Sequence, residues 1–325
     1  MLKVAMLSGW HVHADGYAKE FSSLPDVALN YMWDEDAARG AEFSKKYGME
    51  FIPSLDELLA KDDVDAVCVN APTNMHRDVI VKAAKAGKHV FTEKVLAATN
   101  KEAGEIKKAV EEAGIKFCIS FPHRTSPNNL YAKKIMDKGL LGKVTLLRVR
   151  NAHGGMSFGW LPPHFMDPVT CGGGAMMDLG AHPMYLIGWL MGRPVEVSSA
   201  FTYVYGKEID DNAVTLLTYA DGAVAVSETG FVSGYSPYSL ELYGTEGTVL
   251  IGQSGTWVKS SVNKELDGYV SAEQMPEALP SPIKQFVGGI LRGEKIHFGI
   301  DDAAALTELM EAAYLSHREG RHIKL

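Results

Sequence analysis

The sequence is short of several things, and each shortage excludes something. It has only three cysteines in 325 residues, Cys68, Cys118 and Cys171, odd in number and far apart. No disulfide framework and no Cys-x-x-Cys metal knuckle follows from such a set. Cys68 and Cys118 lie in apolar, strand-like runs, where a thiol behaves as a small buried hydrophobe. A reducing cytoplasm fits that usage. Positive charge is short too. The formal net charge is −8, which argues against the basic face a nucleic-acid partner needs and reads simply as solubility. No apolar run is long enough to span a bilayer, so no membrane is expected. The opening Leu2-Lys3-Val4-Ala5-Met6-Leu7 passes directly into a polar turn carrying His11 and His13, without the layout of a signal peptide. What remains is ordinary globular material, 46% hydrophobic and 22% charged, with room for two domains that each bury a core.

The first third alternates strand and helix signals. Apolar runs at Lys3–Leu7, Val27–Met32, Val64–Val69, His89–Phe91 and Ile115–Ile119 are separated by amphipathic stretches. Three of these stretches stop at Gly48, Gly87 and Gly114, the residue expected just past a helix end. Strands alternating with such helices imply right-handed crossovers and a doubly wound parallel sheet, an α/β nucleotide-binding half. After about Ser120 the pattern changes. Phe121–Pro127 reads as a linker, so the boundary falls between residues 1–121 and 122–325. Beyond a helix at Asn129–Lys138 come period-two strands and hairpin signals, Asp221-Gly222 among them. Two helices, Pro282–Arg292 and Asp302–Glu319, close the chain before a short last strand. The second half is therefore α+β, with a large, mostly antiparallel sheet.

The turn after the first strand should read Gly-x-Gly-x-x-Gly if its backbone cradles a pyrophosphate. It reads Ser8-Gly9-Trp10-His11-Val12-His13, with one glycine left. Serine can replace the first glycine of a tight turn, and the backbone N–H groups from Ser8 to Val12 remain. A plain strand–helix turn is the alternative. Asp34 ends the second strand about 20 residues on, where a carboxylate accepts from ribose hydroxyls and repels a 2′-phosphate. That favours NAD over NADP, unless Asp34 merely caps the next helix, a task Asp36 can also do. Asn70-Ala71-Pro72-Thr73-Asn74 ends the third long strand, and strand C-termini line the ligand crevice of such sheets. Thr73 or Asn74 could cap the helix that follows, and Pro72 would fix the loop below a nicotinamide ribose.

Lys94 closes the strand-like run His89–Glu93. A fixed positive charge there can stabilise a developing alkoxide. Gly172-Gly173-Gly174 leads into Asp178 and His182, four residues apart and so on one face of a helix. A carboxylate beside an imidazole orients a general base near neutral pH. The three suggest removal of a hydroxyl proton, the partner step of hydride transfer. His153, before Gly154-Gly155, can face a substrate, and Trp160 suits a sugar ring, though such aromatic residues also fill cores. For His164 a role in loop structure is expected. His11, His13, His153, His164 and His182 could in principle meet around zinc, but no His-x-x-x-His pair is present and no metal is expected.

In order and separation, Lys3–Leu7 with its turn, Asp34, Pro72-x-Asn74-x-His76, Glu93-Lys94 and the Gly172–Gly174…Asp178-x-Gly180-x-His182 run resemble the glucose–fructose oxidoreductase/inositol dehydrogenase (Gfo/Idh/MocA) family. So do Gly244–Gly247 and the closing Glu311–Arg321. The resemblance implies a Rossmann domain and a second domain whose open sheet makes homodimer or homotetramer contacts. It implies NAD(P)-dependent oxidoreductase chemistry on a sugar, polyol or sugar derivative. Carried over by position, His182 is the base, Asp178 orients it or binds a neighbouring hydroxyl, and Lys94 touches nicotinamide and substrate. Glu93 and His76 join the cofactor set. Two departures stand out: the eroded glycine turn, and Val95 where the family has proline, which is expected to shift the Lys94 loop if the family bond is cis. Non-redox glycosidase or lyase chemistry through transient oxidation, and a non-catalytic sensor of the same fold, are the competing readings.

Overall fold

The computed structural model describes residues 1–325. The chain folds as two units: Met1–Ser120 with Pro280–Thr307, and Phe121–Leu279 with Glu308–Leu325.

The first unit begins β1 (Leu2–Leu7), α1 (Ala14–Ser23), β2 (Val27–Trp33), α2 (Ala37–Tyr47), β3 (Glu50–Phe51) and α3 (Leu55–Leu59). It continues β4 (Ala66–Val69), α4 (His76–Lys85), β5 (His89–Thr92), α5 (Asn100–Ala113) and β6 (Phe117–Ile119). The six strands form one parallel sheet in the order β3-β2-β1-β4-β5-β6. The central strand β4 is buried along its length, because crossover helices cover both faces of such a sheet. Local chemistry sets the helix ends. Asp36 accepts from Ala38 and Arg39 at the start of α2, and Thr99 accepts from Glu102 at the start of α5. Gly48 and Gly114 end the same two helices in the left-handed region. The two-residue β3 escaped the sequence pattern, being too short to show a period.

The second unit holds α6 (Pro127–Asp137), β7 (Val144–Ala152), α7 (Pro168–Cys171), α8 (Ala175–Asp178) and α9 (Ala181–Met191). Then come β8 (Glu196–Thr202), β9 (Asn212–Thr218), β10 (Val224–Gly230), β11 (Ser239–Gly244), β12 (Gly247–Gly252), β13 (Gly255–Ser260) and β14 (Gly268–Tyr269). Its nine-stranded sheet runs β14-β13-β12-β11-β7-β10-β9-β8-β15, with β15 at Ile323–Lys324. Every pairing is antiparallel except β7 with β10. Residues alternate across it. Leu147 and Val149 of β7 are buried, on the side where α8 and α9 pack. Arg148 and Arg150 alternate with them and pair with Glu228.

The sequence boundary at 121/122 omits one feature. The chain returns to the first unit at Pro280–Thr307. There α10 (Pro282–Leu291) packs on β6 and α1, its Phe286 ring 5.8 Å from Phe91, and Ile119 N donates to Phe298 O. No change of composition marks that return; it is driven by apolar faces meeting. The long helix α11 (Ile300–Glu319) begins in the first unit and continues into the second. No helix is long and apolar enough to cross a membrane.

Candidate functional site

In the first unit the candidate residues gather at the C-terminal ends of β1, β2, β4 and β5. Strand order reverses between β1 and β4, and that is where such sheets bind ligands. Ser8 takes φ +74°, the left-handed conformation a glycine would supply. Its Oγ accepts from Trp10 N at 3.1 Å, which helps a serine hold that shape. Gly9 N donates to Asp34 Oδ2 at 2.8 Å, and a Cβ on Gly9 would lie 3.1 Å from the Phe43 ring. The turn keeps its form with one glycine. Trp10 and His11 are buried and Val12 is exposed. His11 N donates to Asn70 O at 3.2 Å, joining the ends of β1 and β4.

Asp34 does not cap α2; Asp36 does. Asp34 is buried and accepts from Gly9 N, Asp36 N and Arg39, whose Nε lies 3.0 Å from Oδ2. Sequence reasoning missed Arg39, one turn into α2. Asn70 is buried, and its Oδ1 has no partner. Pro72, with φ −51° and ψ 144°, starts a 3₁₀ turn at Thr73–Met75. Neither Thr73 nor Asn74 caps α4, which the structure starts without any side-chain cap. The expected cap is lost because the 3₁₀ turn intervenes. His76 is buried, with Nδ1 2.8 Å from Val95 O and Nε2 2.9 Å from Ala71 O. Burial lowers its pKa. The neutral ring donates to one of these carbonyls at a time, which ties His76 to the loops at Ala71 and Val95.

Glu93 and Lys94 follow β5. Lys94 is 4% exposed, an uncommon place for an ammonium. Its Nζ is 3.8 Å from Glu93 Oε1. The Lys94–Val95 peptide is cis. On the other side of the carboxylate, Glu93 Oε2 lies 3.2 Å from His13 Nδ1 and 4.0 Å from His11 Nδ1. The Tyr17 hydroxyl donates to the same oxygen and is 2.8 Å from Ser120 Oγ. Burial pushes the Glu93 carboxyl up, but His11, His13 and Lys94 together hold it well below its ordinary value. Tyr17 and Ser120 were invisible in sequence, since neither belongs to a motif.

In the second unit Asp178 and His182 do not share one continuous helix. Asp178 ends α8 and His182 is the second residue of α9. Gly180 lies between them, its N bonded five residues back to Ala175 O, and His182 N bonds only three back, to Leu179 O. The hydrogen-bond register changes at this junction, while Leu179 and Gly180 keep right-handed helical backbone angles. A Cβ on Gly180 would meet Met176 O at 2.6 Å, so glycine is required where the helices join. The His182 ring is buried, and its Nδ1 is 3.0 Å from the Tyr185 hydroxyl. His123 crosses it edge-on at 4.9 Å and stacks on Tyr238 at 5.1 Å. Burial lowers the His123 imidazole to about 4, so it stays neutral. His123 sits in the segment read as a linker, and Tyr185 lies three residues after His182; that helical spacing was the one signal available.

The triple glycine serves the fold. A Cβ on Gly173 would lie 2.1 Å from the Tyr314 hydroxyl, and one on Gly174 2.0 Å from Asp210 O. The Asp210 carboxylate accepts from Gly174 N, Met176 N and Tyr314 OH, which pins the start of α8. His153 N continues the sheet by donating to Gly230 O, its ring stacking on Phe231 at 5.2 Å with Trp160 4.6 Å away. Trp160 is more than half exposed. His164 is exposed in the turn Pro163–Met166. The five histidines considered together in the sequence divide: His11 and His13 in the first unit, His153, His164 and His182 in the second.

A parallel sheet in 3-2-1-4-5-6 order, with a buried acidic residue ending β2 and a buried lysine after β5, has the architecture of a dinucleotide-dependent oxidoreductase. Residues 8–121 match the model of the oxidoreductase family with an NAD-binding Rossmann fold, and residues 129–250 match the GFO/IDH/MocA C-terminal domain. The chain belongs to the Gfo/Idh/MocA oxidoreductase family. It is 26% identical to inositol 2-dehydrogenase of Rhizobium meliloti (strain 1021) over 95% of each chain. The solved structure of GenD2 from gentamicin A biosynthesis, in complex with NAD, is 26% identical. It superposes with a TM-score of 0.84 over 100% of this chain and 96% of that one. Levoglucosan dehydrogenase with NADH and levoglucosan shares the fold at a TM-score of 0.86 and 19% identity, over 99% of both chains.

Proposed function

We propose that the protein is an NAD-dependent dehydrogenase of a sugar, polyol or sugar-derivative hydroxyl. The observation that carries this reading is the buried Lys94 beside ionised Glu93 at the end of β5. Two charged groups are held out of water there, in the sheet of an NAD-binding family. The first unit fits a dinucleotide. In the turn from Ser8 to Val12 the N–H groups of Ser8, Gly9, Trp10 and His11 already bond to Trp33 O, Asp34, Ser8 Oγ and Asn70 O, so the holding contacts come chiefly from acceptors: Asp34 is buried, and Asn70 Oδ1 is buried with no protein partner. Pro72, Thr73, Asn74 and Glu93 complete the proposed holding set. Bound nicotinamide supplies the hydride-accepting chemistry. This chain supplies the rest. His182, its ring set by Tyr185, takes the hydroxyl proton. The Lys94 ammonium stabilises the charge that grows on the oxygen. Asp178 binds a neighbouring hydroxyl, and His153 and Trp160 offer further substrate contacts. The inositol and levoglucosan dehydrogenases among the relatives support this substrate class. Buried thiols suit a reducing cytoplasm, and exposed Val214 and Leu216 on the second sheet support homodimer or homotetramer contacts there.

The test is NADH formation from NAD with a panel of cyclic polyols and aldoses. One substrate should yield NADH and its two-electron-oxidised product, a ketone or a lactone, in equal amounts. Lys94→Ala should lower that turnover by about 10²–10³ with a much smaller effect on NAD affinity by calorimetry. His182→Ala should remove the reaction and the rise of rate with pH that a neutral base produces. Turnover with no NADH accumulating would transfer the assignment to non-redox chemistry. A Lys94→Ala rate within about threefold of the parent would remove Lys94 from the reacting centre.

A further inference from the structure

We propose that His11, His13 and Glu93 form a binding site for a divalent transition metal of the zinc class. The ligand atoms they offer all lie within 4.8 Å of one another. Two imidazoles and a carboxylate are a borderline donor set, matched to zinc and its first-row neighbours and poorly matched to magnesium or calcium. A tetrahedral ion with bonds of about 2.1 Å holds its ligand atoms about 3.4 Å apart. His13 Nδ1 and Glu93 Oε2 stand at 3.2 Å. His11 Nδ1, at 4.0 Å from the same oxygen, needs to close by a fraction of an ångström.

Lys94 Nζ faces the other carboxylate oxygen, Oε1, at 3.8 Å, which leaves Oε2 to the imidazoles. The His11 and His13 rings lie 4.6 Å apart, too close to carry two positive charges comfortably. Oε2 already takes His13 and Tyr17, and His11 Nδ1, which accepts from His13 N at 3.2 Å, would exchange that backbone contact for the ion. An ion uses both rings in their neutral form and one carboxylate charge. Tyr17, bonded to Glu93 and near Ser120, fixes the carboxylate as an outer-shell partner does. Three protein ligands leave positions open for water or an exogenous donor. The His-x-His pair is adjacent in the β1–α1 turn, and Glu93 comes from the end of β5 in the same unit, so the sheet itself sets their spacing. This replaces the sequence expectation of no metal.

The experiment is zinc titration of the full-length, dinucleotide-free protein by calorimetry, with cobalt as a spectroscopic probe. One zinc per chain should bind at micromolar concentration or tighter, and cobalt should give the intense visible bands of a low-coordinate N/O site. His13→Ala tests the site without a folding risk, because that side chain is 46% exposed. It and Glu93→Gln should each remove stoichiometric binding. Tyr17→Phe should weaken it by about 10–100-fold. No stoichiometric binding to the parent would overturn the proposal. So would binding that persists in both ligand variants, or cobalt spectra with sulfur charge-transfer bands. None of these readouts depends on the dehydrogenase reading.

Discussion

At the scale of single residues, the Asp34–Arg39 pair bears on the proposed preference for NAD. The carboxylate that would face a 2′-phosphate is neutralised in part by the Arg39 guanidinium, which also pairs with Glu35. An arginine in this place is what tolerates the extra phosphate in NADP-dependent sites. Arg39→Ala should therefore widen the preference for NAD, by weakening NADP binding more than NAD binding in parallel titrations. Equal weakening of both would show that Arg39 serves only the turn. Asp34, Lys94 and His182 were legible in sequence because each stands at a fixed point of a motif. Arg39, Tyr17, Ser120 and His123 were not. Tyr17, Ser120 and His123 meet their partners across dozens of residues, and no local period records such meetings; Arg39 lies only five residues from Asp34 but belongs to no motif.

Elements tell a similar story. Strands and helices of the first unit were readable because their apolar periods and glycine ends agree. The join between α8 and α9 was not legible, because a spacing of four presumes one continuous helix and the change of hydrogen-bond register at Gly180 leaves no mark on that spacing. The reason for Gly172–Gly174 was hidden as well, since Asp210 and Tyr314, which crowd them, are distant in sequence. Gly174→Ala should be destabilising by about 1–3 kcal/mol through overpacking, because its Cβ would meet a backbone oxygen that cannot step aside. Denaturant unfolding followed by tryptophan fluorescence checks this. An unchanged midpoint would mean that the start of α8 is more yielding than its contacts imply.

For the molecule as a whole, His123 predicts an acid dependence of stability. Its imidazole is lowered from 6.5 to about 4 by burial. A chain that unfolds binds a proton there that the folded chain refuses. The contribution is complete above the ordinary value and is lost as pH falls through the window down to about 4. His123→Phe, which keeps an aromatic ring against Tyr238, should lose less stability than the parent between about pH 7 and pH 4.5 in urea titrations. Parallel losses in the two proteins would place the acid sensitivity elsewhere. The two-unit plan was legible as a change of pattern near Ser120. The return of Pro280–Thr307 was not, because a helix that crosses back carries the same amphipathic signature as one that stays.

The contact between Gly173 and Tyr314 also bears on how this chain can change over generations. A side chain at 173 has nowhere to go while the phenol hydroxyl occupies that space. The same hydroxyl donates to Asp210 and accepts from Gly174 N and Met177 N, so shortening Tyr314 alone leaves buried groups unsatisfied. Each position holds the other in place. Descendants of this sequence can alter 173 and 314 only as a pair, with Asp210 following, and the three should vary together or not at all among relatives.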